Sequence, residues 1–142
     1  VFVANLVGTL FAAAFVSFAP VLTPEIYGAM LEISRHLLGQ SWWTLAFKGI
    51  GAGFLIATMV WLLPSAATAQ VFVVILITWL IAAGEFAHII AGSAEAFLLA
   101  IHGDAGWGWV IGGFIAPVLI GNIVGGTALF ALLSYAQVMN EI

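Results

Sequence analysis

"AAGEFAHIIAGSAEAFLL", residues 82–99, sets two carboxylates and a histidine inside an otherwise apolar run. The run extends on both sides, from Val71 to Ile101. As a single helix it would be roughly 46 Å long, well beyond the ~30 Å of hydrocarbon in a bilayer. Gly84 and Gly92 lie in its middle, beside Glu85, His88 and Glu95. The spacing predicts a discontinuous helix over 71–101, broken near 84–92, with helical arms from Val71 to about Ala83 and from about Gly92 to Ile101. Backbone outside a helix is tolerated at membrane depth only where protein buries it or a cavity hydrates it. The polar cluster and the break therefore mark one internal site.

The rest of the chain supports a membrane setting. Of its 142 residues 65% are hydrophobic and 6% charged, whereas a soluble domain carries about 25% charged residues. The mean hydropathy is +1.27. Such a chain is an all-α integral membrane protein with the lipid bilayer as its main partner. The absence of cysteine removes disulfide, zinc-thiolate and thiol-nucleophile chemistry. Six acids stand against Arg35 and Lys48, for a net charge of -4. Without a basic run, nucleic acid is not a partner. No sequence feature requires a cofactor.

The first span covers about 1–19 and ends near Pro20. "TPEIYGAMLEISRHLLGQ" (23–40) reads as an amphipathic helix over about 24–38, lying at the interface. Thr23 is its N-cap, with Pro24 and Glu25 in the first turn. The next span, about 42–63, opens with Trp42 and Trp43 and closes near Trp61 and Pro64, as suits the headgroup level. "HGDAGWGW" (102–109) is an outer loop, and the last span covers about 109–137.

"VANLVGT" (Val3 to Thr9) and "IGNIVGG" (Ile120 to Gly126) match at Asn, Val and Gly, with Asn5 and Asn122 117 positions apart. Three crossings separate the two stretches, so the matching helices run in opposite directions. That is the pattern of an inverted-topology repeat. A repeat unit of that length, with Val1 in place of an initiator methionine, predicts two further spans upstream: six in all, of which these are the last four.

Four stretches resemble the formate/nitrite transporter family, pentameric channels for small monovalent anions. "PVLIGNIVGGTALFALL" (117–133) is similar to the family's last helix, and "FKGIGAGFLIATMVW" (47–61) to its fourth. "GEFAHIIAG" (84–92) resembles the broken fifth helix with its central histidine, and "ANLVGT" (4–9) the third. The departures mark a divergent branch. With His88 on the family histidine, Ala87 stands where an acid precedes it, Gly92 where an Asn follows, and Gly53 replaces the Asn of the fourth helix. Arg35 and His36 are the nearest basic counterparts of the family's vestibular lysine. The resemblance implies an aquaporin-like inverted-repeat helical bundle, a homopentamer, a bacterial inner-membrane location and a small anion such as formate or nitrite as substrate.

Within that frame His88 is the leading pore residue. Desolvation disfavours a charged imidazole, and a neutral, protonatable group can relay a proton so that a weak acid crosses uncharged. Lys48 either snorkels to the interface or attracts anions to the pore mouth. Asn5 and Asn122 line the pore or hydrogen-bond the broken helix. Glu85, three residues before His88, would meet it if the turn stays helical, and Glu95 must be neutral, paired or near water. Phe86 is the first candidate for a hydrophobic gate, followed by Phe97 and Leu98. Other readings are a neutral-solute pore and a non-transporting scaffold of the same fold. An intramembrane metalloenzyme using Glu85, His88 and Glu95 lacks an H-E-x-x-H motif, so no metal site and no enzyme is expected.

Overall fold

The computed structural model describes residues 1–139, and every regular element among them is helical. In chain order the α-helices are α1 (Phe2–Phe18), α2 (Pro24–Arg35), α3 (Trp42–Leu62), α4 (Gln70–Ala83), α5 (Ile89–His102), α6 (Ala116–Ile123) and α7 (Phe130–Met139). Two helical stretches, Trp42–Ser65 and Trp109–Gln137, are long and apolar enough to cross a membrane. The chain folds into two compact bodies. One comprises Val1–Trp42 and Ile89–Ala116, the other Trp43–His88 and the described residues from Pro117.

In the first body, α1 and α2 both pack on α5. The buried side of α5 carries Ser93, Ala96, Leu98, Leu99 and Ala100. On α1 the residues Val3, Val7, Phe11 and Phe15 recur every fourth position and are exposed, an apolar stripe suited to lipid. The hydroxyls within these helices stay satisfied. Ser17 donates to the Ala13 carbonyl at 2.7 Å and Ser34 to the Met30 carbonyl at 2.8 Å. The hydroxyls of Thr9 and Ser93 meet at 2.9 Å, tying α1 to α5.

Helix α2 begins where the sequence signals it. The Thr23 hydroxyl accepts from the Ile26 N–H at 3.4 Å, and Pro24 occupies the first turn. Hydrogen bonds from its own backbone N–H and then from the Thr23 hydroxyl hold the Glu25 carboxyl below the usual glutamate range. Helix α5 ends in a tight turn. The N–H groups of Gly103, Asp104 and Ala105 all point to the Leu99 carbonyl, and Gly103 takes a φ of +98° that only glycine adopts freely. Asp104 then reaches Arg35 at 2.7 Å.

The last helical stretch is not a uniform α-helix: Trp109–Ile115 and Val124–Leu129 are π-helical. Pro117 cannot donate a ladder hydrogen bond and its ring crowds the carbonyl four residues back, which displaces the pairing just before it. In the first π segment Trp109 and Phe114, five apart, come together with ring centroids 6.4 Å apart.

The second body is organised by glycine. A Cβ on Gly121 would lie 2.1 Å from the Ala46 carbonyl oxygen, and one on Gly125 1.9 Å from that of Ile50. From the other side, a Cβ on Gly53 would lie 2.2 Å from the Asn122 carbonyl oxygen. Gly49 and Gly53 on α3 thus oppose Gly121 and Gly125, a G-x-x-x-G pair on each helix. In lipid, apolar burial gives helices no reason to associate, so close backbone approach supplies the packing. Further along, Phe130 packs its ring against Phe54 and Trp61.

Candidate functional site

The segment between α4 and α5 is the candidate site, and its hydrogen bonds explain why it is stable. Helix α4 closes with bonds from the N–H of Gly84 to the Leu80 carbonyl, of Glu85 to Ala82 and of Phe86 to Ile81. To make that turn Glu85 adopts a left-handed φ of +50°. The next peptide is held from outside α4. The Ala87 N–H donates to the Lys48 carbonyl at 3.3 Å. The Asn122 side-chain amide donates to the carbonyls of Ala87 and Gly49, each at 2.9 Å. One asparagine therefore joins α3, α6 and the interrupted segment. Gly53 and Gly121 allow the close helix approach that brings its amide within reach.

Charge and shape are added at the same place. Lys48 lies six residues beyond Trp42, or roughly 9 Å along α3. An ammonium at such a position needs a partner or water. The Lys48 Nζ meets the Glu85 carboxylate at 3.0 Å. The Phe86 ring lies against two glycines: a Cβ on Gly51 would be 2.5 Å from it, and one on Gly84 2.6 Å. His88 closes the segment and is half-buried.

Of the expected site residues, the structure gathers Lys48, Glu85, Phe86 and Asn122 around the interruption, with His88 at its end. Asn5 is exposed on α1. The three-residue helical spacing from Glu85 to His88 does not apply, because residues 84–88 are not helical. The interruption is also shorter than 84–92: α5 resumes at Ile89. Gly92 belongs to the helix, where a Cβ would come within 2.4 Å of the fully buried Phe114 ring. Its role is to seat that ring. Phe97 and Leu98 are buried on α5, with the Phe97 ring 6.2 Å from that of Trp107. Arg35 is taken up by Asp104. Glu95 lines an apolar cavity of about 280 Å³ together with Ala13, Met30, Ile33 and Ser34. Among the described residues no three histidine or carboxylate groups converge as metal ligands would.

Sequence reasoning missed the paired glycine crossing and the Lys48–Glu85 contact. The first had a signal, G-x-x-x-G at 49/53 and again at 121/125. The second had none, since its partners are 37 residues apart.

Apolar helices, a helix interrupted within an apolar run and an asparagine clamp on the interrupted backbone mark a helical membrane protein. The chain belongs to the formate/nitrite transporter family, whose model matches residues 1–136. It is similar to the inner membrane protein YfdC of Escherichia coli (strain K12), with 40% identity over 141 residues. That match takes in 99% of this chain and 46% of the relative, so the chain spans about half the length of the curated relative it matches. No solved structure matches it. The family is one of transporters, and the relative is an inner membrane protein.

Proposed function

We propose that the chain forms part of a channel or transporter for small monovalent anions, such as formate, nitrite or a similar weak-acid anion. The observation that carries this reading is the non-helical segment Gly84–His88, whose backbone is held by Lys48 and Asn122 in a member of this family. Irregular backbone in a membrane helix is expected where a pathway needs polar groups. In this reading His88, once protonated from the adjoining water, passes that proton to the anion, so that the weak acid crosses the constriction uncharged, and is reprotonated from water afterwards. That route avoids the large cost of a bare anion in low dielectric. Asn122 positions the segment, Lys48 draws anions toward it, and Phe86 narrows the passage. The whole assembly is an aquaporin-like inverted repeat within one transmembrane domain, with Asn5 and Asn122 as equivalent positions and five copies in the oligomer. The family resemblance supports the pentamer, and the matching Asn-x-Val-Gly stretches support the repeat.

The test is uptake by the full-length gene product reconstituted in liposomes, with formate, nitrite and hydrosulfide at about pH 5 and pH 7.5, values that straddle histidine titration. One anion should enter, faster in acid. His88→Phe should abolish that uptake while the oligomer stays intact on size exclusion. Undiminished transport by His88→Phe ends the relay. No uptake of any anion by well-assembled protein favours a neutral solute or a scaffold.

A further inference from the structure

The Lys48–Glu85 pair is asymmetric. Lys48 projects from a regular helix and its side chain is 25% exposed, whereas that of Glu85 is 70% exposed. Glu85 also stands in a left-handed conformation, at φ +50°, that a residue with a Cβ adopts at a cost. An ion pair with one largely solvated partner is weak. The ammonium is thus the fixed half of the pair and the carboxylate the replaceable half.

We propose that Lys48 is a binding group for the transported anion and that Glu85 is its built-in competitor. A small carboxylate, or an oxyanion of the same charge, takes the place of the Glu85 carboxylate on the Lys48 Nζ. The Glu85 carboxylate returns when the anion leaves. Only ionic hydrogen bonds are exchanged, and no proton or covalent bond moves. The arrangement keeps the ammonium paired when no anion is present, as its place within α3 requires. It also holds affinity down, so that a bound anion is not trapped. This inference rests on the anion-transport reading above and adds a site and a determinant of affinity to it.

The full-length protein in liposomes tests it through the half-saturation concentration for the anion that the wild type transports. Glu85→Gln should lower that concentration by roughly two- to fivefold, the range an exposed ion pair commands. Lys48→Met should raise it, and Lys48→Arg should largely preserve it. In the Lys48→Met background, Glu85→Gln should have no further effect. If the gain from Glu85→Gln persists there, Glu85 acts through its field alone and the exchange is overturned. Wild-type uptake with half-saturation unmoved by any of these variants overturns the exchange and leaves the anion reading standing. Wild-type protein that transports no anion overturns both.

Discussion

The two bodies bring their helices together with small residues, but they fill the contact differently. In the first, Gly92 gives its space to the Phe114 ring, and the Thr9 and Ser93 hydroxyls link α1 to α5. In the second, Gly49 and Gly53 meet Gly121 and Gly125 backbone to backbone, and the Asn122 amide and the Lys48–Glu85 pair sit beside that crossing. A side chain that receives a glycine can turn aside; a carbonyl oxygen cannot. The first contact is therefore adaptable packing, while the second fixes geometry. Rigid geometry is concentrated where the interrupted helix must be held, which sets that segment apart from the rest of the packing.

The sharpest way to break this comparison is a matched pair of alanine substitutions. Gly121→Ala drives a methyl against the Ala46 carbonyl oxygen, so α3 and α6 must separate. Its cost should reach or exceed the upper end of the roughly 1–3 kcal/mol typical of overpacking. Gly92→Ala meets only the tip of the Phe114 ring and should fall lower in that range. Thermal unfolding in detergent ranks the two. Equal losses would mean that the first body is as rigid as the second.

A second matched pair compares polar links. Asn122→Leu removes two hydrogen bonds and leaves the Ala87 carbonyl without its side-chain donor, so a loss of about 1–3 kcal/mol is expected. Faster hydrogen exchange at residues 84–88 should accompany it. Ser93→Ala removes one hydroxyl from a pair whose other member, Thr9, can still donate to the Leu6 carbonyl. About 0.6 kcal/mol is expected, the usual size of a hydrogen bond between membrane helices. If Asn122→Leu is no worse than Ser93→Ala, the clamp is ordinary helix contact.

How much of this was legible in the sequence follows from what each signal depends on. Composition and helical periodicity carry the all-helical membrane class, because both act residue by residue along one chain. The family was legible in "PVLIGNIVGGTALFALL", whose glycines and asparagine stand at fixed spacing along one helix. Gly92 was misread because a glycine in an apolar run gives the same signal whether it ends a helix or seats a ring. Gly53 looked like the loss of a family asparagine; in the fold it lets the α6 backbone approach. The Glu85 to His88 spacing was weighed on helical geometry, which a non-helical segment voids. The Lys48–Glu85 contact depends on how α3 meets the end of α4, and no local pattern reports that.

The smallest effect is the most diagnostic of how the interruption is built. Glu85→Gly relieves a left-handed backbone worth about 1–2 kcal/mol. It loses an exposed ion pair worth about 0–1 kcal/mol and adds chain freedom to the unfolded state worth roughly 0.5–1 kcal/mol. The terms nearly cancel, so stability should stay within about 1 kcal/mol of the parent. Glu85→Ala loses the same ion pair and keeps the strain, so it should be the less stable of the two by unfolding in detergent. Should alanine match glycine, the turn at residue 85 is not strained, and the carboxylate is no easier to displace from Lys48 than any other. Should glycine win, glutamate is retained at a position that its backbone disfavours, and the reason must lie in the charge it presents to Lys48.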